Sequence, residues 1–159
     1  MQSRLIPAIL MFAIDLSSKY GVVWGMNLIA LGRIEILPPY LVFQMGWNEG
    51  INFGLFSGAP DAARWILLAV ALAVCLWVAR WALRDGRPRV LFSAGLLIGG
   101  ALGNVADRLV HGAVADFLNM SCCGFHNPFS FNLADVGVFL GAVGLIVLTW
   151  RDDARGKHS

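Results

Sequence analysis

Three neighbouring motifs combine glycines, aspartates and asparagines next to apolar segments: Gly99-Gly100-Ala101-Leu102-Gly103-Asn104-Val105-Ala106-Asp107-Arg108, then Val114-Ala115-Asp116-Phe117, then Phe131-Asn132-Leu133-Ala134-Asp135. Asp116 follows the apolar run Val90–Leu109. Asp135 precedes the apolar run Val136–Trp150, and eighteen residues separate the two aspartates. The short excursion between the runs returns both carboxyls to the same end of two hydrophobic segments. An ionisable residue at membrane depth is a functional hypothesis by default, and two that converge favour acid–base chemistry.

The composition is that of a membrane protein. The chain of 159 residues is 58% hydrophobic and 14% charged, with a mean hydropathy of +0.69. A soluble domain of this size would contain about 25% charged residues. The length permits one domain, so we expect residues 1–159 to form a single membrane-embedded unit. No basic stripe or recognition motif indicates a nucleic-acid partner.

Four segments are long enough to cross a bilayer, which takes about 20 apolar residues each. They are Leu5–Leu28, Trp65–Leu83, Val90–Val110 and Phe131–Trp150. The first is interrupted by Asp15 and Lys19, is too long for the apolar part of a cleaved signal peptide, and lacks a small-x-small cleavage site. We therefore expect it to stay as an anchor.

Lys and Arg residues are distributed unevenly between the two ends of these spans. Eight lie on one side: Arg4, Arg80, Arg84, Arg87, Arg89, Arg151, Arg155 and Lys157. Three lie on the other side: Arg33, Arg64 and Arg108. The positive-inside rule then puts both termini in the cytoplasm. The segments 32–64 and 111–130, and with them both aspartates, are predicted to face the extracytoplasmic side.

Segment 32–64 alternates short apolar runs with turn residues. The runs Tyr40–Trp47 and Ile51–Phe56 flank the turn sequence Asn48-Glu49-Gly50, a pattern that predicts two to four strands. We expect a small extracytoplasmic β-sheet over approximately residues 33–58, lying on the membrane over the helix ends. An irregular loop on the lipid headgroups is the alternative.

Asn48 and Gly50 themselves admit two interpretations. Both residue types tolerate positive φ, so the segment can be a simple turn. Alternatively, it presents the Asn48 amide to an extended peptide, with Gly50 permitting close approach.

Asp15 and Lys19 are four residues apart and so share one helix face. Burying either charge alone in lipid is costly, and an ion pair between them is the simplest interpretation. The functional alternative makes Asp15 a supporting group that holds the site in place.

The third span carries both packing and polar signals. Three glycines allow close helix packing, as small residues do in membranes: Gly99, Gly100 and Gly103. Asn104, Asp107, Arg108 and His111 share one helix face. Asp107 beside Arg108 indicates a local ion pair at the helix end. Asn104 and Arg108 are candidates for binding a peptide backbone or orienting a catalytic carboxylate.

Asp116 and Asp135 are the candidate catalytic pair. Two nearby carboxyls cannot both ionise cheaply, so one keeps a proton. The neutral member can polarise a carbonyl while the ionised member takes a proton from water. The alternative is a pair of helix-end carboxylates in the headgroup region.

Residues 118–130 form a Gly/Pro/Asn-rich segment that is either a mobile lid or a simple connection. Cys122 and Cys123 lie in it with His126, but a metal site lacks a fourth ligand at suitable spacing. Adjacent cysteines rarely bridge each other, because the geometry is strained. The two cysteines can therefore be free thiols, or they can be oxidised with another partner. No metal or cofactor is expected.

Together these motifs resemble the lipoprotein signal peptidase (signal peptidase II) family over almost the whole chain. The matching motifs are Asp15-x-x-Ser18-Lys19, Asn48-x-Gly50-x-x-Phe53-Gly54, Gly99-Gly100-x-x-Gly103-Asn104-x-x-Asp107-Arg108, Val114-x-Asp116-Phe117 and Phe131-Asn132-x-Ala134-Asp135. Asn52 stands where a small residue is expected, which affects one local contact. The segment with Cys122, Cys123 and His126 matches no motif.

The resemblance implies a monomeric aspartic endopeptidase of the bacterial inner membrane, with four transmembrane helices and a small outer sheet. Its partners would be membrane lipids and prolipoproteins carrying diacylglycerol on a cysteine, cleaved just before that cysteine. The catalytic pair would be Asp116 and Asp135. The supporting or substrate-binding residues would be Asp15, Lys19, Asn48, Gly50, Asn104, Arg108 and Asn132.

Two other classes of function compete with this interpretation. In a transport protein the same carboxylates would form a proton relay, but four spans without an inverted repeat make a poor transporter. A metal-dependent phosphotransferase acting on lipid headgroups would need more carboxylates around its ions.

Overall fold

The computed structural model describes residues 4–50 and 60–156. The helices are α1 (Ile6–Lys19), α2 (Leu28–Leu31), α3 (Pro60–Asp85), α4 (Pro88–His111) and α5 (Leu133–Gly156), and a π-helical segment, Tyr20–Gly25, continues α1. The strands are β1 (Arg33–Leu37), β2 (Leu41–Asn48) and β3 (Val114–Asn119).

In the described part of the chain, four helices are long and apolar enough to cross a membrane. They are Ile6–Gly25, Asp61–Asp85, Pro88–His111 and Leu133–Trp150. The predicted four-helix membrane fold is therefore confirmed, with ends displaced by a few residues. The first span ends at Gly25 rather than Leu28, because Asn27 has a left-handed φ of 56° and turns the chain into α2.

Helix α4 is the centre of the bundle and packs against α1, α3 and α5. The expected close packing at its glycines is confirmed. A Cβ added at Gly99 would collide with a backbone carbonyl of α1, and one at Gly100 with a backbone carbonyl of α5. At Gly103 the added atom would collide with the carboxylate of Asp15. These glycines thus bring the polar face of α4 against both neighbouring helices.

The sheet is three-stranded and antiparallel, in the order β1-β2-β3. Two strands lie within the expected range, and residues 51–58 of that range fall outside the described residues. The third strand, Val114–Asn119, was not expected. Nearly every residue in it is buried, so the polar–apolar alternation that marks a strand is missing. Gly112, at φ 82°, ends α4 and turns the chain into this strand.

Strand β3 positions the first candidate carboxyl. Ala115 and Phe117 are buried against Val23, near the end of the first span, and Leu28, at the start of α2. Side chains alternate between the two faces of a strand, so Asp116 points away from this apolar cluster. Its pairing partner on β2 is Gly46, and the absence of a side chain there leaves space beside the carboxyl.

Candidate active site

Each oxygen of the Asp116 carboxyl accepts one hydrogen bond from a carboxamide. Asn48 Nδ2 donates to Oδ2 at 3.0 Å, and Asn132 Nδ2 donates to Oδ1 at 2.6 Å. Asp116 is only 5% exposed, and this burial raises its pKa to about 6. The hydrogen bond from Asn48 lowers the pKa, the charge of Asp135 raises it, and the bond from Asn132 lowers it. Because burial dominates, this carboxyl holds a proton more readily than an ordinary aspartate.

A local turn aims the Asn48 side chain. Asn48 Oδ1 accepts a hydrogen bond from the backbone N–H of Gly50 at 2.9 Å. This Asx turn leaves the amide nitrogen of Asn48 free to donate to Asp116. Gly50 has a φ of 84°, and a Cβ there would collide with Leu67 of α3. Both predicted features are therefore present: Asn48 and Gly50 form a turn, and the Asn48 amide is a hydrogen-bond donor. Its acceptor in this structure is the carboxyl of Asp116.

Asp135 is positioned by the start of α5. Asn132 Oδ1 accepts the backbone N–H of Asp135 at 2.9 Å, and Asp135 Oδ2 accepts the backbone N–H of Asn132 at 3.3 Å. These reciprocal bonds form a capping box, which satisfies two backbone donors at the helix N-terminus. The sequence Asn132-Leu133-Ala134-Asp135 thus encodes both the start of the helix and the position of the second carboxyl.

Asn132 joins the two candidate carboxylates. Its side-chain nitrogen donates to Asp116, and its backbone nitrogen donates to Asp135. Asn104 completes the arrangement, because its Nδ2 donates to Asp135 Oδ1 at 2.9 Å while its Oδ1 accepts from Asn132 Nδ2 at 3.2 Å. Asn132 is fully buried. The two carboxyls are therefore held by residues from three different segments of the chain.

A buried ion cluster lies behind the carboxyl pair. Lys19 Nζ is 2.7 Å from Asp15 Oδ2 and 2.8 Å from Asp107 Oδ2. The expected Asp15–Lys19 ion pair is confirmed. The expected local pairing of Asp107 with Arg108 is wrong, because Asp107 pairs across the bundle with Lys19. A lysine that is 1% exposed needs more than one acceptor, and a second carboxylate on α4 supplies it.

The two carboxylates of this cluster also hold the backbone next to the candidate catalytic pair. Asp15 Oδ1 accepts the N–H of Ala134, one residue before Asp135, at 2.8 Å. Asp107 Oδ2 accepts the N–H of Ala115, one residue before Asp116, at 3.1 Å. Asp107 was missed as a site residue. The signal for it was the need of a buried carboxylate for a cation, which Lys19 meets from the facing helix.

Arg108 lies beside the site at the end of α4. Its charge interacts electrostatically with Asp116, Asp135 and Asp107, and its Nη1 is 3.5 Å from the carbonyl oxygen of Asn104. Its Nε is buried and has no hydrogen-bond partner among the described residues. A buried N–H without a partner is uncommon in folded proteins, so the hydrogen bonds of the described residues do not satisfy this guanidinium.

A cavity of about 330 Å³ opens next to Asp116. Its walls come from the end of β2 and from the segment before α5: Gln44, Met45, Gly46, Trp47, Asn48, Asp116, Pro128, Phe129 and Ser130. Ser130 Oγ donates to the carbonyl oxygen of Gln44 at 2.9 Å and ties the two walls together. Past the last pairing of β2 with β1, at Gln44, one side of the β2 backbone has no strand partner in the described residues and offers the polar groups that an extended peptide would pair with.

The unassigned cysteines and His126 lie outside this site, on the exposed part of segment 118–130. Within residues 4–50 and 60–156, no three His, Cys, Asp or Glu side chains come together as metal ligands would.

The fold and the site define a polytopic membrane protein in which two carboxyls meet where a surface sheet joins the helix ends. The family model described as Signal peptidase (SPase) II matches residues 7–151. The lipoprotein signal peptidase of Methylorubrum extorquens (strain PA1) is 36% identical over 158 residues, covering 99% of this chain and 91% of that protein. That of Methylobacterium sp. (strain 4-46) is 35% identical over 143 residues, covering 90% and 86%. The chain belongs to the signal peptidase II family.

Solved structures show the same fold. Two, each described as a bacterial membrane enzyme, have TM-scores of 0.80 and 0.81 and 23% sequence identity to this chain. The first covers 98% of this chain and 92% of its own, and the second covers 96% and 95%. Family membership makes the chain a bacterial membrane protease and confirms the resemblance that its motifs indicated.

Proposed function

We propose that this chain removes the signal peptide from prolipoproteins that carry diacylglycerol on a cysteine. Cleavage would fall just before that cysteine, with Asp116 and Asp135 activating water. One observation carries the proposal: Asn132 donates to both carboxyls and holds them in one site. The raised pKa of Asp116, about 6, supports a pair in which one member is protonated.

The chemistry follows from that shared proton. Asp116, as the protonated member, donates a hydrogen bond to the scissile carbonyl oxygen and polarises it. Asp135, as the ionised member, takes a proton from water as the water oxygen attacks the carbonyl carbon. The oxyanion that forms is held by Asp116. Asp135 then returns its proton to the leaving nitrogen, so the peptide is hydrolysed without a covalent enzyme intermediate.

The supporting residues have different parts in this scheme. Asn48, Asn104 and Asn132 hold the carboxyls through their amide groups. Asp15 and Lys19 act from behind, because both are about 1% exposed and cannot touch a substrate. The positive charge of Arg108 interacts with both carboxyls and would help to stabilise the negative charge that develops on the substrate.

The surroundings of the site suit a lipid-anchored peptide. The cavity beside Asp116 has the end of β2 as one wall. This part of the central strand runs past its last pairing with β1, at Gln44, so an extended peptide can add to its free side. Lipid chains on the substrate would remain in the bilayer and bring the scissile bond to headgroup depth.

The eight-to-three distribution of Lys and Arg supports an extracytoplasmic site with both termini in the cytoplasm. We propose that the enzyme works as a monomer in the lipid bilayer.

The test is hydrolysis of a synthetic peptide that spans a lipoprotein cleavage site and carries diacylglycerol on its cysteine. Purified protein in lipid-containing micelles should release a product whose mass begins at the modified cysteine. The same peptide without lipid is the control and should be cleaved much more slowly. Cleavage at another bond, or equal rates with and without lipid, would contradict the proposed substrate class.

A further inference from the structure

Two neighbouring thiols project from the exposed tip of segment 118–130. The Sγ atoms of Cys122 and Cys123 are 2.8 Å apart, and both residues are exposed. They belong to a tight turn, in which the N–H of Phe125 donates to the carbonyl of Cys122 at 2.8 Å. Cys123 has a φ of 58° and Gly124 a φ of 81°. Positive φ at both central residues is the signature of a type I′ turn.

The conformation of Cys123 is the first sign of a role for this turn. A non-glycine residue at positive φ is uncommon, and Asn or Asp is the usual exception. Such outliers persist where the surroundings hold them, and they justify a functional hypothesis. Here the unusual backbone brings one thiol against the next.

The turn is tied to the wall of the candidate active-site cavity. Asn119 Nδ2 donates to the carbonyls of Asn127 and Phe129, at 2.8 and 3.0 Å. Ser121 Oγ accepts the N–H of Asn127 at 3.1 Å. Phe129 and Ser130 line the cavity. A change of conformation at the turn is therefore passed through a few hydrogen bonds to residues beside Asp116.

We propose that Cys122 and Cys123 form a reversible dithiol–disulfide site whose oxidation changes peptide binding in the cavity. The oxidising surroundings rest on the proposed function, which puts segment 118–130 on the extracytoplasmic side. Thiols that face such a compartment meet protein and small-molecule disulfides. A disulfide of that class is the oxidant.

The Sγ atoms are close enough for one thiol to attack an external disulfide and for the other to resolve the product. The hydrogen bond that Cys122 donates to Cys123 raises the pKa of the Cys122 thiol, so Cys122 is the second of the two to react. The Cys123 thiolate attacks the external disulfide RSSR, forms a mixed disulfide and releases one thiolate. Cys122 then loses its proton and attacks Cys123 Sγ, which releases the second thiolate. The pair is oxidised by two electrons, and RSSR is reduced to two RSH.

The bond formed would be easy to reverse. Adjacent residues across a trans peptide have Cα atoms about 3.8 Å apart, whereas disulfides prefer roughly 4.4–6.8 Å. Strained, exposed disulfides have the higher reduction potentials and are the labile ones. A site of this kind responds to the thiol–disulfide balance instead of locking the fold.

The chemical test needs no substrate. Purified protein in micelles is equilibrated with oxidised glutathione or with dithiothreitol, alkylated with N-ethylmaleimide, and cut into peptides for mass analysis. After oxidation, the peptide holding Cys122 and Cys123 should lack two hydrogens and take up no label. After reduction it should take up two labels. In Cys122→Ser, a mixed disulfide with glutathione should accumulate on Cys123, because the resolving thiol is gone. Buried Cys75 serves as the internal control and should behave alike in both conditions.

Two results would overturn the site: a wild-type peptide that still takes up both labels after treatment with oxidised glutathione, or a mixed disulfide with glutathione that is never replaced by a Cys122–Cys123 disulfide.

The coupling to the cavity is tested by cleavage of the lipidated peptide. Oxidised and reduced wild type should differ in KM with kcat little changed, as expected for altered binding. The double variant Cys122→Ser, Cys123→Ser should show one KM in both conditions. Identical KM for oxidised and reduced wild type would refute the coupling. Absence of cleavage by reduced wild type would instead refute the proposed function, and the mass result would stand by itself.

Discussion

Lys19 and Asp107 form an ion pair of 2.8 Å between the first and third membrane-spanning helices. Lys19 also pairs with Asp15 on its own helix at 2.7 Å. Each of the two carboxylates accepts a backbone N–H one residue before a candidate catalytic aspartate. One lysine thus stabilises the start of α5 and the start of β3 together, and so sets the relative position of Asp135 and Asp116.

Replacing Lys19 should strongly destabilise the helix bundle. Lys19→Met leaves two carboxylates buried without a cation, and breaking a buried pair typically costs about 3–5 kcal/mol. Thermal unfolding in detergent should show a large drop in Tm. The matched control is Arg33→Met, since the Arg33–Glu35 pair is over half exposed and should contribute little. A Tm for Lys19→Met close to that of wild type would show that the cluster does not stabilise the fold.

The central prediction concerns the two aspartates. Asp116→Asn and Asp135→Asn preserve size but remove a carboxyl that must exchange protons. Each should lower kcat by roughly a thousandfold or more, and the double variant should be scarcely worse, because members of a catalytic unit are non-additive. Product mass measures the rate, and insertion and lipid-peptide binding should persist. Asp61→Asn, at an exposed position at the start of α3, is the control and should remain active. Substantial cleavage by either single variant would sink the aspartic mechanism.

The pH profile should report the protonation of Asp116. Since its pKa is about 6 and the mechanism needs its proton, kcat/KM should fall as the pH rises above about 6. Asn48 stabilises the ionised form, so Asn48→Ala should raise the pKa and move this alkaline limb to higher pH. Gln44→Ala is the control, since Gln44 lines the same cavity and is not a donor to Asp116 in the described residues. A limb that stays in place in Asn48→Ala would exclude Asp116 as the group that titrates.

Arg108 and Asn104 should affect turnover more than folding. Asn104→Ala removes the donor to Asp135, and Arg108→Ala removes a positive charge near both carboxyls. Both variants should lose activity while retaining most of their thermal stability. Arg108→Lys should recover only part of the rate, because an ammonium lacks the planar fork of guanidinium. Full activity in either alanine variant would reassign these residues to helix packing.

The orientation can be tested in cells. A reporter enzyme that is active only outside the cytoplasm, fused after Trp150, should be silent, because the basic residues put the C-terminus inside. The same reporter inserted into segment 118–130, at Gly124, should be active. The opposite pattern would invert the topology and move the site to the cytoplasmic side.

The membrane class, the four spans and the two candidate carboxyls could all be predicted from the amino-acid sequence. These are local properties: apolar length decides whether a helix can cross a bilayer, and the cost of a charge there marks Asp116 and Asp135. The glycines of α4 belong to the same group, since small residues on one helix face predict close packing. The start of α5 was encoded just as locally, in the Asn132–Asp135 capping box.

The contacts between these elements could not be predicted in the same way, because they depend on how the chain packs. Strand β3 is recognisable through its pairing with β2 and its burial against Val23 and Leu28, because a strand buried on both faces has no alternating pattern. The choice of Lys19 over Arg108 as the partner of Asp107 depends on which helix lies opposite, and neighbours along the chain carry no information about that. The hydrogen bond from Asn132 Nδ2 to Asp116 has the same origin. Each of these contacts joins residues far apart along the chain, so only the packing of the folded chain brings their partners together.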